Sequence, residues 1–382
     1  MEFELDDDQQ ELQRVVRDVV GRECPPELVR AVVAGSADGD DLWTTMVGLD
    51  WPSLTVPTDD GGMGLTAVEL VITLEELGWA ADPTPFLATT SQYLPLVREC
   101  FDGDARGSRL AGVCAGRTGT VAFAADTARA ESDDNGGVGG DDGGWDLHGT
   151  ATPVVDGDRA DEIAVVATLP DGAPGVFLVP GTDLDADRAP AFDGALHVAD
   201  LALDGVRVDA ARAATGPGVA AGVERATHEA LAGISASTVG ACRRILELVL
   251  AHVKDRHQFG VPIGSFQAVK HMAVDVYVAI ERARALVHFA ALAAAEDDPR
   301  RALAASMAKA AAGDAQRLAV RHGIQLFGGL GFTWENDLQI YVRRAMVGEL
   351  LLGTAAEHRA WVGHTALEAL PAPADLSEGA TP

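Results

Sequence analysis

Cysteine is scarce in this chain of 382 residues: Cys24, Cys100, Cys114 and Cys242 stand far apart, with no CxxC pair. That pattern excludes a zinc ribbon and a disulfide scaffold. Cys242 lies in an apolar helical run and reads as a small core residue. Cations are also few, 29 Lys and Arg against 58 Asp and Glu, for a formal charge of −29. Such a surface repels a phosphate backbone, which argues against sequence-independent binding of nucleic acid and reads as a solubility or salt adaptation. Any anionic ligand must then be met by local Arg or Lys working against the overall field. No apolar run reaches the ~20 residues of a membrane span. The acidic start (Glu2, Glu4, Asp6, Asp7, Asp8) has neither the basic and apolar regions of a signal peptide nor the Arg-rich face of a transit peptide. A cytoplasmic protein is the expectation. No internal repeat of solenoid length and no metal-binding ladder is present.

The chain does have length and periodicity. Apolar residues at 47% and charged residues at 23% suit a globular protein of two or three structural units. Residues 6–22 read as a helix, with Leu12, Val15, Val16, Val19 and Val20 at helical spacing and Asp6 to Asp8 at its positive end. Pro25-Pro26 stops it and starts the next. Trp43, Met46, Val47 and Leu49 mark a short helix. Thr66 or Ala67 to Trp79 reads as another amphipathic helix, ended by Asp82-Pro83. From Leu110 the period changes, and Val113, Val121 to Phe123, Ile163 to Ala167 and Val176 to Val179 read as short strands of a β-domain ending near Val208. Within it Ser132 to Gly144 (SDDNGGVGGDDGG) reads as a flexible, solvated loop. The helical period returns at about Gly218. In the Phe266 helix, Phe266, Val269, Ala273, Val276, Ile280, Ala283 and Val287 form one seam suited to an antiparallel bundle.

Two stretches carry chemistry: Lys254 to Lys270 (KDRHQFGVPIGSFQAVK) and Gln325 to Arg359 (QLFGGLGFTWENDLQIYVRRAMVGELLLGTAAEHR). The first joins two helices through a turn built on Phe259, Gly260, Pro262 and Gly264; the second bends at Gly328, Gly329 and Gly331. Each sets cationic or amide side chains beside free backbone N–H groups, a combination that suits an anion such as a pyrophosphate. The plainer alternatives are a helix C-terminus with Arg256 against its dipole, and a sharp helix-to-helix turn. The glycines do not match a GxGxxG loop between strand and helix.

The order RxQFGxPIxxFQxxK, then QxxGGxGF, an arginine within the next helix, and GT resembles the acyl-CoA dehydrogenase family. Leu49-Asp50-Trp51, Val56-Pro57, Gly61 to Gly64 and Glu75-Glu76-Leu77-Gly78 follow the family's order too. The resemblance implies an α+β fold: an N-terminal helical domain (1–108), a small central β-domain (109–215), a C-terminal four-helix bundle (216–370) and a disordered tail (371–382). It implies FAD as cofactor and an acyl-CoA as substrate, with Arg256, Gln258, Phe259, Gln325, Gly328, Gly329 and Thr354 on the cofactor side. In the family the Arg, the Phe and the glycine turn serve the FAD of a neighbouring subunit.

Two departures accompany it. The family's TEPxAGSD stretch, which holds the flavin within one subunit, is replaced by Phe123 to Glu131 (FAADTARAE), and GxKxWIT by Gly149 to Val155 (GTATPVV). The family's commoner catalytic Glu immediately precedes the GT pair, where this chain has Leu352, which accepts no proton. A minority of the family carries the Glu on an earlier helix, near Ala230; Glu229 is one residue away, about 100° round a helix. Glu349, one turn before Leu352, reads as an exposed helix residue. The sequence is similar to the degenerate subunit of bacterial hetero-oligomeric members. The expected partners are a homologous acyl-CoA dehydrogenase subunit and an electron-transfer flavoprotein or similar acceptor. The alternatives left open are a self-sufficient homotetramer using Glu229 and a structural paralogue without activity.

Overall fold

The computed structural model describes residues 5–124, 126–132, 143–334 and 336–368. Most of the acidic glycine loop and the expected C-terminal tail lie outside these residues. The N-terminal unit is helical: α1 (Asp7–Glu23), α2 (Pro26–Val33), α3 (Asp40–Gly48), α4 (Ala67–Ala80), α5 (Phe86–Ala88), a π-helical turn (Thr89–Tyr93), α6 (Leu94–Cys100) and α7 (Gly103–Cys114). Asp6 with Gln9 and Thr66 with Glu69 form capping boxes that fix where α1 and α4 begin. Val113 lies in α7 and not in a strand. Leu110 and Val113, each 1% exposed, are three residues apart on one helical face.

The reading of the 67–79 helix as amphipathic also needs correction, since α4 is buried on nearly every side, Glu75 and Glu76 included. Those two carboxylates are matched by cations from three other helices. Arg243 donates to both at 2.6 Å, Arg284 donates to Glu75 at 2.7 Å, and Arg17 pairs with Glu76. A buried carboxylate is tolerated only with such partners.

The middle unit is an eight-stranded sheet: β1 (Gly119–Phe123), β2 (Ala128–Ser132), β3 (Gly144–Val155), β4 (Glu162–Thr168), β5 (Pro174–Pro180), β6 (Asp185–Arg188), β7 (Val198–Asp209) and β8 (Ala213–Ala214). The hydrogen-bonded path runs β6-β7-β3-β2-β4-β5-β8, with β1 parallel to β4. One face holds Ala122, Leu147, Val165, Phe177 and Leu203; the other packs Val121, Val166 and Val176 against Leu96, Val97 and Leu110 of the helices. That second layer fixes β1 against α6.

The C-terminal unit is a bundle of α8 (Val219–Asp255), α9 (Gln267–Ala295), α10 (Arg301–Phe327) and α11 (Leu338–Leu350), with α12 (Ala355–Glu368) on α10; a small hairpin of β9 (His257–Gln258) and β10 (Val261–Pro262) joins α8 to α9. Val276, Ile280, Ala283 and Val287 form the buried seam of α9. Phe266 does not: it is the residue before α9 begins and is 39% exposed. The bundle shares one core with the N-terminal helices.

The α4–α8 crossing depends on two glycines. A Cβ on Gly240 would fall 1.9 Å from the Glu75 carbonyl, and one on Gly78 2.1 Å from that of Ser237. Gly240→Ala is therefore expected to force the helices apart and cost about 3 kcal/mol, the upper end for overpacking. Chemical denaturation measures this, and a loss under about 0.5 kcal/mol, the level of a neutral surface change, would contradict the reading.

Candidate functional site

α8 ends in a cationic last turn with His252 and Lys254, and its C-cap residue, Arg256, leaves helical geometry at φ −75°, ψ 119°. The chain then reverses over Phe259 (φ 55°) and Gly260 (φ 82°), both left-handed, as a two-residue hairpin turn requires. The Ile263 amide donates to the Arg256 carbonyl at 2.8 Å and closes the loop. Phe259 combines a bulky side chain, a positive φ and 92% exposure; its only ring contact among the described residues is edge-on to Phe266, with centroids 6.1 Å apart. An exposed aromatic held in a costly backbone conformation points to a contact outside the chain. Arg256 and Gln258 are exposed beside it.

The second stretch is brought to the first. The His252 ring stacks on Phe327 at 4.4 Å, which sets the end of α10 against the end of α8. Gln325 is exposed there, and Gly328 turns at φ 61°, ψ −138°, a region that side chains avoid. Gly331 has a packing reason, since its Cβ would stand 3.0 Å from the Ile324 carbonyl. Gly329 has none: a Cβ there meets nothing within 4 Å and φ is not left-handed. Its missing side chain keeps the outer surface open. Arg256, Gln258, Phe259, Gln325, Gly328 and Gly329 thus share one exposed face, with charge, amides and an open backbone suited to pyrophosphate.

Thr354 stands apart from that face as the N-cap of α12. Its amide and hydroxyl both donate to Glu357, at 2.7 and 2.9 Å, and the Glu357 amide donates back to its oxygen at 3.3 Å.

Between the sheet and the bundle lies a cleft of about 230 Å³, bordered by Gln92, Phe123, Pro153, Ile234 and the 350–353 loop. In the two stretches that depart from the family pattern, Thr127 donates to the Thr150 carbonyl at 2.6 Å and Thr152 to Asp200. Leu352 borders the cleft in a left-handed conformation, φ 54°.

The loop carrying Leu352 is nevertheless tightly held. His358 Nε2 donates to the Leu352 carbonyl at 2.9 Å, and Lys309 Nζ donates to those of Gly348 and Glu349 at 2.9 and 2.7 Å. Burial pushes the His358 imidazole and the Lys309 ammonium down, the latter to about 8. The Glu349 carboxylate accepts from the Ala355 amide at 2.9 Å and is only partly exposed, which corrects its reading as an exposed helix residue.

Glu229 lies elsewhere. It pairs with Arg98 across the α6–α8 contact and borders a separate cavity of about 600 Å³ with Arg225 and Arg301. Leu352 does not border that cavity; it borders another with Thr227, His228 and Leu231 of α8. Burial raises the Glu229 carboxyl and the Arg98 guanidinium opposes the rise. Arg98 also meets Glu99 at 3.4 Å, and Glu99 meets Arg225 at 2.6 Å. Glu229→Gln is expected to lower stability by about 1–3 kcal/mol, less than losing an isolated buried pair because Glu99 remains, and to leave flavin content unchanged. Thermal denaturation and a flavin absorbance spectrum test both parts; loss of flavin at unchanged stability would contradict them.

The profile of the acyl-CoA dehydrogenase N-terminal domain matches residues 6–100, and that of the C-terminal domain matches 216–367. Acyl-CoA dehydrogenase IpdE2 of Mycobacterium tuberculosis is 31% identical over 355 residues, 92% of this chain and 95% of that protein. The chain belongs to the acyl-CoA dehydrogenase family. These are flavin-dependent oxidoreductases acting on CH–CH groups. IpdE2 of Mycolicibacterium smegmatis is 28% identical over 362 residues, 92% of this chain and 97% of that protein. The crystal structure of the ChsE4-ChsE5 complex from Mycobacterium tuberculosis superposes with a TM-score of 0.87 at 26% identity, covering 97% of this chain and 100% of that one. The family arrangement of helical domain, β-domain and helical bundle is present as expected. Among the described residues no helix is long and apolar enough to cross a membrane, and no cluster of three metal-binding side chains occurs.

Sequence reasoning missed Lys309 and His358, which act through backbone carbonyls and obey no spacing rule.

Proposed function

We propose that the chain is a weakly catalytic or non-catalytic subunit of a hetero-oligomeric, FAD-dependent acyl-CoA dehydrogenase. Its C-terminal face completes the cofactor site of a homologous neighbour. The observation that supports this reading is the contrast between two regions: the outward face keeps Arg256, Gln258, Phe259 and Gln325 exposed around an open glycine turn, while the chain's own cleft is bordered by Leu352 and by Thr152, whose hydroxyl is engaged with Asp200.

α,β-Desaturation requires a carboxylate or another base at the α-carbon. Bound FAD would supply the acceptor for the hydride leaving the β-carbon. Leu352 offers no proton acceptor, while Lys309 and His358 still hold its loop. In this reading Arg256 meets the pyrophosphate of the neighbour's cofactor, Gln258 and Gln325 supply amide donors beside it, and Phe259 packs on its apolar part. The neighbour supplies the base, and an electron-transfer flavoprotein or similar acceptor reoxidises the complex. Co-purification with a homologous subunit tests the assembly. The chain is expected to elute as a hetero-oligomer, and a monodisperse monomer at micromolar concentration with every candidate partner present would contradict it.

A further inference from the structure

Hydroxyls inside the helices tend to turn back on their own backbone. Thr90, Ser91, Thr227, Ser235 and Thr238 each donate to the carbonyl four residues earlier, at 2.6 to 2.8 Å. Ser306 of α10, 7% exposed, turns instead to another helix: its oxygen lies 3.3 Å from His358 Nδ1 on α12. The second ring nitrogen fixes the tautomer. A carbonyl only accepts, so Nε2, 2.9 Å from that of Leu352, carries the hydrogen, and Nδ1 is left to accept the Ser306 proton. Burial pushes the imidazole down, which keeps it neutral and basic near pH 7. A Cβ on Gly353 would stand 3.1 Å from Nε2, so the glycine gives the ring its seat.

The pair borders a cavity of about 550 Å³ among α8, α10 and α12, walled by His228, Leu231, Ser306, Leu352, His358 and Trp361. That volume is ordinary for a small-molecule site. No strand contributes to its wall, unlike that of the cleft against the sheet. His228, in the same wall, has its Nδ1 buried without a partner among the described residues. Buried polar atoms are otherwise almost always paired, so this nitrogen is a second group that the fold leaves for a ligand.

We propose that Ser306 and His358 form a nucleophile and base pair that hydrolyses acyl thioesters in this cavity, an activity separate from desaturation. Ser306 Oγ adds to the thioester carbonyl while its proton passes to Nδ1, and the Leu352 carbonyl holds the imidazolium through the Nε2 hydrogen. The C–S bond breaks, and the leaving thiolate takes that proton. Water then adds to the acyl-serine with Nδ1 as base, the ester C–O bond breaks, and Ser306 regains its proton as a carboxylic acid leaves. Thioester and water thus become acid and thiol, and the balance needs no oxidant. The thioester class follows from the family, while the pair itself is independent of the flavin half-site.

Two readouts on the full-length chain test this: thiol release from butyryl-CoA with no electron acceptor present, and the site of labelling by a fluorophosphonate, mapped by peptide mass spectrometry. Thiol release and a label on Ser306 are expected. Ser306→Ala is expected to slow the release about a hundredfold or more, the scale of losing one partner of such a pair. Its melting temperature is expected to stay unchanged, because the bond from His358 to Leu352 remains. No release by the native chain, release that survives in Ser306→Ala, or a label on another residue overturns the proposal. Mapping the label needs no variant, so misfolding of Ser306→Ala cannot shelter it. Neither readout involves flavin: failure here leaves the half-site reading standing, and a flavin-free complex overturns that reading alone.

Discussion

Purified without a partner, the chain is expected to carry well under one FAD per subunit and to desaturate acyl-CoAs at no measurable rate. Two losses combine here. Thr127 and Thr152, in the stretches that would hold the chain's own flavin, spend their hydroxyls on the Thr150 carbonyl and Asp200. Leu352 stands where a carboxylate is needed, and loss of a general base alone costs about 10²–10⁴ in rate. Glu229 does not restore it from its present position, being paired with Arg98 beside a different cavity. The check is an assay of the isolated chain with a series of acyl-CoAs and an artificial electron acceptor, repeated on Glu229→Gln. Activity in the first assay that vanishes in the second would identify a complete enzyme with its base on α8.

Arg256→Ala is expected to weaken flavin retention by the assembled complex at least tenfold while leaving the melting temperature of the isolated chain nearly unchanged. Arg256 is exposed and makes no hydrogen bond through its guanidinium to any described residue, so the isolated fold loses little. A charge-assisted hydrogen bond to a phosphate oxygen is worth about 1.5–3 kcal/mol, and about 1.4 kcal/mol is a factor of ten. Fluorescence of released flavin across a dilution series reads the affinity. Unchanged flavin content with a markedly earlier melt would make Arg256 a helix-capping residue only.

The order of the three structural units was legible because apolar periodicity switches from helical to alternating and back, and the sheet and bundle obey that switch. Sequence periodicity puts the switch a few residues early at Val113, because one apolar residue after a glycine carries no period of its own. α4 was misjudged for a different reason: Glu75 and Glu76 look like a polar face until Arg17, Arg243 and Arg284 arrive from α1, α8 and α9. The same limit applies at the site. The exposed face could be located from Arg256, Phe259 and the glycine run, because a turn and a helix end are local features. The clamp on Leu352 by Lys309 and His358 and the ion pair that occupies Glu229 are contacts made by the fold, and no spacing announces them. Phe266 shows how periodicity overreaches at an element's end, where a residue in register with a buried seam lies beyond the last packed turn.

Which subunit holds the flavin is decided most directly by the ratio of FAD to polypeptide in the complex assembled from this chain and its homologous partner. Flavin absorbance after denaturation, set against quantified amino acids, is expected to give one FAD for every two polypeptides, with Arg256→Ala lowering it further. One FAD for every polypeptide would contradict the half-site reading, because it would require the cleft beside Leu352 to hold a flavin of its own.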